Sequence, residues 1–593
     1  MNHKSEKKMK GILNNYIRVF KILSHIDIKM LVFIILLSII NGIIPIISVR
    51  FTQSIINMIQ TLNFPIKILI KTLLLYIIFN LVAALITLIN QYLTTLFQYK
   101  IDQYMETLIL TKAGNLTLSD FEYTESYNKI QRAQDSNRLY TYFSYIITVL
   151  NSFVTLIFSI YILLTWRWWS IIILCAVYLL STMLINKLSK LQYEMIRKRT
   201  SIEREKWYYK FLLTNDMAFK EIKLYKLARY FIKKFNSIYK IILSQDINFL
   251  KKATLIQFLI SFLEEIVVAG LFILIIFDAY LGRILIGDTI AYIKTINNIK
   301  SAIKNISQQF SSIYKDNLYI NQVFEFIDMP NEDDTCKHDN ERNINIGNIK
   351  QIRIENLSFR YKNSDKYAIK KLNLILTPGE TTAIVGRNGS GKSTLVKILT
   401  GLYDDYEGKI YINNIDLKKI NKDFYKKQIA ILFQDFAKFE LSLRENIAVS
   451  NITNAEDDIA IKQSLRKSNF LKFINDIDIR LGFWFDNGTQ LSGGEWMKIG
   501  IARVFFKNSS LLIFDEPNSA LDSISEKKIF EKIAEVSKNK ISLIITHRIS
   551  TISLYAQKVL LLKDGKQIAY DTHENLIRHC PEYLELYEAS LKL

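Results

Sequence analysis

The sequence predicts a two-part chain: an all-α membrane domain of six membrane helices, followed by an α/β domain. Three observations carry this. Apolar segments of spanning length recur through the first half, two long proline-free stretches divide them, and beyond a polar linker short β-rich runs alternate with helical ones. At 593 residues the chain exceeds one ordinary domain and fits two or three. Half of it is hydrophobic and mean hydropathy is +0.12, high beside 22% charged residues. We expect a membrane domain over 1–328, a linker over 329–350 and a second domain over 351–593.

The apolar segments lie at Leu31–Val49, Thr72–Ile89, Tyr142–Leu164, Trp168–Ile185 and Ala253–Phe277, with a weaker sixth at Leu285–Ile306. The first five reach or nearly reach the roughly 20 residues that cross a bilayer. The sixth carries Lys294, Lys300 and Lys304 and fails a simple hydropathy cut. It is kept because an even number of spans puts both termini on one face, and the basic N-terminus belongs inside. The first thirty residues lack a short apolar core ending in small residues, so Leu31–Val49 reads as a retained helix rather than a cleaved signal. Ile12, Tyr16, Phe20 and Leu23 recur at near-helical spacing. They fit either a helix on the inner membrane face or a lead-in to the first span.

The net charge of +21 admits nucleic acid or anionic lipid as partners, and its placement chooses. Seventeen Lys or Arg fall between Lys187 and Lys252, and none between Phe51 and Ile66. Basic residues thus gather on one face, beside anionic membrane lipids, and no nucleic-acid partner is expected. Trp166, Trp168 and Trp169 mark an outer turn, where interfacial aromatics belong. Cys175, Cys336 and Cys580 show neither metal-ligand spacing nor a disulfide framework.

The inner stretches 90–141 and 186–252 contain no proline and read as helix. About 25 helical residues reach ~37 Å, so the spans would project as stalks below the bilayer. Their bends, near Phe121–Tyr127 and Asn215–Lys220, are the expected contact points with a soluble domain. Glu264 and Glu265 fall near the middle of the fifth span, where ionised groups are costly and face a polar interior. Side chains about 100° apart allow at least one into a cavity. They read either as an acidic spot for a cationic substrate, or as a water-filled vestibule or internal salt bridge.

Past the linker, with Pro330, Asn331, Asp333, Asp334 and Asn340, the apolar strand Thr382–Val385 leads into Gly386-Arg387-Asn388-Gly389-Ser390-Gly391-Lys392-Ser393-Thr394. This is a phosphate-binding loop between a strand and a helix. Glycines let backbone N–H groups wrap phosphates, the helix N-terminus adds a favourable dipole, Lys392 supplies a cation, and the Ser393 hydroxyl can ligate Mg²⁺. Downstream, the buried-strand run 510–514 ends in Asp515 and Glu516. Asp515 can hold the Mg²⁺ shell and Glu516 can polarise an attacking water. The α/β part therefore reads as a P-loop nucleotide-binding domain with a place for Mg²⁺, and the resemblance carried by residues 491–495 implies ATP as the nucleotide.

Leu491-Ser492-Gly493-Gly494-Glu495 resembles the signature of ATP-binding cassette (ABC) proteins, which other P-loop ATPases lack. That resemblance implies further roles. Tyr361 looks like the aromatic that stacks on adenine, and Gln434 like the residue linking Mg²⁺ and water to the membrane domain. The run Ser519–Asp522 looks like the loop joining two cassettes, and His547 like the γ-phosphate switch histidine. Gly282, Leu285, Ile286, Gly287, Asp288 and Ala291 are similar to the family's exporter branch at the start of the sixth span. Lys220-Glu221-Ile222-Lys223 is similar to its second stalk contact. In such exporters the signature of one cassette closes on ATP held by the other, with Ser492, Gly493, Gly494, Glu495 and Asp522 in that joint. A second half-transporter chain, as a homodimer, is the expected partner.

Two features depart from the family pattern. Residue 495 is Glu where Gln is commoner. The segment Phe485-Asp486-Asn487-Gly488 lacks the usual run with two glutamates, leaving Asp486 as the nearby acid. Trp496 after the signature resembles bacterial exporters of lantibiotics and related modified peptides, although a helix residue packing in the cassette needs no such meaning. The first cysteine lies within a membrane helix, so no leader-trimming thiol protease is expected, and a separate enzyme would remove a leader. The expected function is ATP-driven export of a lantibiotic-type or other peptide across a bacterial cell membrane, with both termini and the ATPase cytoplasmic. The alternative is a multidrug or lipid exporter of the same architecture.

Overall fold

The computed structural model describes residues 2–62, 64–123, 129, 138–216, 218–331, 344–362, 364–549 and 554–591. They form two compact units: residues 1–115 with 123–329, and residues 116–122 with 330–593.

The first unit is helical. In chain order its helices, with one short helix of the second unit between them, are α1 (Asn2–Thr61), α2 (Ile66–Gly114), α3 (Leu118–Glu122, second unit), α4 (Arg138–Leu164), α5 (Trp169–Lys198), α6 (Thr200–Thr214), α7 (Phe219–Leu224), α8 (Ala228–Tyr280) and α9 (Ile286–Ile327). Helix α1 breaks at Asp27 (φ −164°, ψ 92°). There the Asp27 carboxylate accepts the Met30 N–H at 3.0 Å and the Lys100 ammonium at 2.7 Å, capping the spanning part. Before the break, Val19 and Leu23 are buried against Phe97 and Ile101, while Ile17 and Phe20 are exposed. The N-terminal stretch therefore packs on the bundle and keeps an apolar outer face. The side chains of Ile12 and Tyr16 lie outside the described residues.

Among the described residues five helices are long and apolar enough to cross a membrane, within Ile17–Thr61, Ile66–Gly114, Leu139–Leu164, Trp169–Ile196 and Ala228–Tyr280. Their outward side chains, such as Leu74, Ile78, Leu81 and Leu85 of α2, are exposed, as lipid-facing residues are. The weaker sixth segment is one continuous helix, α9, without that apolarity. Its Ala291, Ile296 and Ile299 are nevertheless buried in one cluster with Leu163, Leu174, Val268 and Ile275. At its start the Asp288 carboxylate accepts the Leu285 N–H and the side-chain amides of Gln53 and Asn57 at 2.7 and 2.8 Å, tying α9 to α1. At the outer turn Trp166 faces inward, donating to buried Asp278, which Arg167 and Arg283 also hold, whereas Trp168 is exposed.

Among the described residues the second unit holds two sheets. Strands β1 (Ile352–Phe359), β2 (Ile369–Leu376), β4 (Glu407–Ile412) and β5 (Ile415–Asp416) form an antiparallel sheet ordered β2-β1-β4-β5. The larger sheet contains β3 (Thr381–Val385), β6 (Ile429–Leu432), β7 (Leu511–Asp515), β8 (Ile541–Ile545), β9 (Lys558–Lys563) and β10 (Lys566–Asp571), ordered β10-β9-β3-β8-β7-β6. It is parallel except for the β10 edge. Every residue of β3, β7 and β8 is buried, as continuous apolar runs covered on both faces require. Ile346 and Ile349, read as linker from sequence, pack into this unit's core, while 332–343 lie outside the described residues.

The first expected stalk contact falls partly on α3, which belongs to this second unit; residues 124–127 of that expectation lie outside the described residues. The second expected contact holds the short helix α7, with Phe219, Leu224 and Tyr225 exposed, and its Met217 is likewise outside.

Candidate nucleotide site and membrane cavity

Parallel strands place the site residues at one edge. The phosphate loop follows β3, Gln434 follows β6, Asp515 ends β7 and His547 follows β8, all at C-terminal strand ends. In open α/β sheets that edge is where ligands bind.

The loop's glycines are required by geometry. Gly391 has φ +102°, and a Cβ there would lie 2.5 Å from the Ala368 carbonyl; one on Gly386 would lie 2.2 Å from that of Leu562. The helix Lys392–Leu399 opens with amides at 391–394 that have no intramolecular carbonyl acceptor among the described residues. Such amides are the donors a phosphate accepts. Lys392 curls back so that its Nζ donates to the Gly386 carbonyl at 2.8 Å and to that of Arg387 at 3.1 Å. Its burial lowers the ammonium pKa, against the pull of Glu516 and Asp515. Ser390 and Thr394 are buried, Asn388, Gly389 and Ser393 are exposed, and Arg387 pairs with Glu585 at 2.9 Å.

Asp515 is 3% exposed and its Oδ1 has no hydrogen-bond partner among the described residues. Burial raises its pKa to about 6, the Glu516 carboxylate adds to the rise, and Lys392 and the Ser393 hydroxyl oppose it. A buried, unpartnered carboxylate oxygen beside a serine hydroxyl is a donor set suited to a hard divalent cation. Glu516 stands at φ +51°, a strained conformation for a non-glycine residue and common at functional sites. Gln434 Nε2 donates to one of its oxygens at 2.9 Å, and His547 Nε2 lies 3.0 Å from the other. The three residues, far apart in sequence, come together around the one carboxylate.

Tyr361 is half-buried, edge-on to Phe359 and Tyr403, and its hydroxyl is 2.9 Å from that of Thr394. Behind it lies a partner from the first expected contact segment, a residue that the sequence reading did not single out: the Glu122 carboxylate of α3 accepts from the Tyr403 hydroxyl and from Lys397. Desolvation of Tyr403 and the adjacent Glu122 charge push its phenol pKa up. Nothing in the local spacing near Tyr403 signals this, because the acid comes from a segment nearly 300 residues away.

In the signature, Ser492 and Glu495 form a capping box: the Ser492 N–H donates to Glu495 at 2.8 Å and the Glu495 N–H to Ser492 Oγ at 3.3 Å. Glu495 also pairs with Lys472 at 2.9 Å. Although desolvation works against its charge, the Ser492 N–H and Lys472 hold its carboxyl below the ordinary range. A Cβ on Gly494 would approach the Ala520 carbonyl to 2.8 Å, so the signature helix starts against the 519–522 loop. Asp522 in that loop caps the helix Ser523–Ser537 by accepting the Ser525 N–H at 2.9 Å. No hydrogen bond joins 492–495 to the phosphate loop among the described residues.

Trp496 is buried with Leu443, Phe470 and Leu481, a core position that packing alone explains. Asp486 is exposed beside the exposed aromatics Phe483, Trp484 and Phe485. Buried Arg503 was also missed. It donates to the Asn446 and Ala437 carbonyls and pins the segment after Gln434 to the signature helix, with burial lowering its pKa to about 10.

The membrane unit holds an open cavity of about 590 Å³ between α4, α5, α8 and α9. Its wall includes Tyr178, Ser181, Gln257, Ser261, Glu264 and Lys304. Glu265 turns elsewhere and pairs with Lys300.

Comparison with known proteins adds three findings. The family described as ABC transporter matches residues 369–519. The subtilin transport ATP-binding protein SpaT of Bacillus subtilis is 35% identical over 98% of this chain and 95% of its own, and the nisin transport ATP-binding protein NisT of Lactococcus lactis subsp. lactis is 35% identical over 96% and 94%. The fold is that of a bacterial Atm1-family ABC exporter solved with ATP bound: TM-score 0.80, 18% identity, 95% of this chain and 98% of that one covered.

Proposed function

The chain belongs to the ABC transporter family, and from that premise we propose that it is an ATP-driven, multi-pass membrane exporter of a lantibiotic-type peptide, working as a homodimer of half-transporters. The observation that carries the ATPase reading is Glu516, held between Gln434 and His547 at the sheet edge that also bears the phosphate loop. The peptide reading rests on near full-length likeness to SpaT and NisT, which are named for subtilin and nisin transport.

In this reading the open amides at 391–394 and the Lys392 ammonium hold the ATP phosphates, and Tyr361 turns its ring to the adenine. Asp515, Ser393 and Gln434 would hold Mg²⁺, which when bound neutralises charge on the β- and γ-phosphates. Glu516 accepts a proton from the attacking water as its oxygen adds to the γ-phosphorus and the bond to ADP breaks. Gln434 and His547 fix the direction of the carboxylate, so that the barrier carries less reorganisation. The Ser492 and Glu495 amides are used in the capping box, the Gly493 and Gly494 amides have no carbonyl acceptor among the described residues, and none of 492–495 bonds to its own phosphate loop there. This supports completion of each ATP site by the signature and Asp522 loop of a second copy. Closure on ATP would turn the membrane cavity outward, and hydrolysis would reset it. Both termini and the ATPase then face the cytoplasm, with α9 as the sixth span.

The test uses the purified full-length protein in lipid discs. Phosphate release is measured with cationic thioether peptides, with added lipids and with hydrophobic dyes. Stimulation by the peptides supports the reading; stimulation by dyes or lipids alone overturns it in favour of a multidrug or lipid exporter.

A further inference from the structure

The two adjacent glutamates of α8 have opposite fates. Glu265 is largely exposed and its charge is answered by Lys300 of α9. Glu264, half-buried, lines the 590 Å³ cavity and has no ion pair within 4 Å among the described residues. An ionised carboxylate in a spanning helix is stable only where polar groups or a counter-charge receive it. The hydroxyls of Tyr178, Ser181 and Ser261 and the side-chain amide of Gln257 line the same wall, and groups of this kind receive a carboxylate through their O–H and N–H donors. Lys304 reaches the cavity too, but it is exposed and lies beyond ion-pair distance of Glu264.

A single carboxylate among neutral hydroxyl and amide oxygens has a definite preference. An ammonium is a compact charge with three rotatable donors, and it can place one on the carboxylate and the others on hydroxyl or amide oxygens. A guanidinium gains most from a bidentate carboxylate in a fixed plane, which scattered neutral oxygens do not extend. We infer that Glu264, with the hydroxyls and amides around it, is a subsite for one ammonium group of the transported peptide, a lysine side chain or the free N-terminus, as that peptide passes through the membrane unit. This rests on the peptide-export reading and adds the chemistry of its recognition.

The test measures half-stimulating peptide concentrations for ATPase activity in lipid discs. Two probes are used: a synthetic thioether-ring peptide with lysines and a free N-terminus, and the same peptide with every amine acetylated. For the wild type the amine peptide should act at about tenfold lower concentration than the acetylated one. Glu264→Gln should erase that difference, Glu264→Asp should restore part of it, and Glu265→Gln should leave it intact with basal turnover unchanged. Wild-type stimulation that distinguishes the two peptides equally well in Glu264→Gln overturns the subsite while leaving peptide export standing. Equal effects of Glu264→Gln and Glu265→Gln overturn it as well, since they indicate a diffuse field. No stimulation of the wild type by either peptide removes the export reading itself, and the subsite with it.

Discussion

The nucleotide site and the membrane cavity are built on opposite plans. At the nucleotide site the working side chains are held by named partners: Glu516 by Gln434 and His547, Lys392 by two main-chain carbonyls of the loop, and Glu495 by Ser492 and Lys472, while one Asp515 oxygen is left open. The cavity wall is drawn from four helices, and it sets the Glu264 carboxylate, without an ion pair among the described residues, beside neutral hydroxyl and amide groups and the more distant Lys304. A site that hydrolyses one constant molecule gains from preorganisation, whereas a passage for a flexible peptide gains from adaptable polar contacts. The glycines divide the same way: Gly391 supplies a backbone angle of φ +102°, while Gly287 supplies only room, for a Cβ there would meet Asn57 Oδ1 at 2.3 Å and the Gln53 carbonyl at 2.5 Å.

The sharpest way to break the comparison is Glu516→Gln. A positioned general base contributes ~10²–10⁴-fold, so phosphate release should fall by at least about 100-fold while ATP binding, read by fluorescent-nucleotide titration, persists. Near-normal turnover would remove Glu516 from the base role and the mutual-fixation argument with it.

Gly391→Ala comes next. Left-handed backbone costs an L-residue ~1–2 kcal/mol, and the Ala368 carbonyl stands in the way. ATP affinity should drop about tenfold or more in the same titration, and the membrane unit should be untouched.

Its counterpart, Gly287→Ala, should act in the opposite compartment. Overpacking costs ~1–3 kcal/mol and falls on the contact between α1 and α9, where close approach needs small residues. The expected result is a lower Tm for detergent-solubilised protein with nucleotide affinity retained. A loss of ATP binding instead would mean the two regions are not separable in this way.

How much of this was legible in sequence follows from the same contrast. The phosphate loop, the Asp515-Glu516 strand end and the signature are each compact in sequence, because a tight turn or a strand–helix junction must be coded locally. The helices α1, α2, α4, α5 and α8 were legible through sheer apolarity, whereas α9 was not, since its polar residues fall between core positions such as Ile296 and Ile299. Which of Glu264 and Glu265 faces the cavity could not be read at all: a 100° step says that they diverge, but only the position of Lys300 on another helix decides how. The grouping of Glu122 with Tyr403 and Lys397 was hidden for the same reason, a contact across nearly the length of the chain.

The smallest expected effect concerns the departure at 495. Glu and Gln both serve as the fourth residue of a capping box, so Glu495→Gln should lose only the exposed part of the Lys472 pair, under about 1 kcal/mol. Glu495→Ala loses the box as well and should cost more, on the order of the ~1 kcal/mol of a helix cap. The two variants, compared by Tm and by turnover, should therefore rank wild type, Gln, Ala. If Gln is as damaging as Ala, the negative charge itself matters at the signature, and residue 495 is a functional change in this chain, not a tolerated synonym. That outcome would also qualify the contrast drawn above, because one member of the preorganised site would then owe its role to charge and not to mutual fixation.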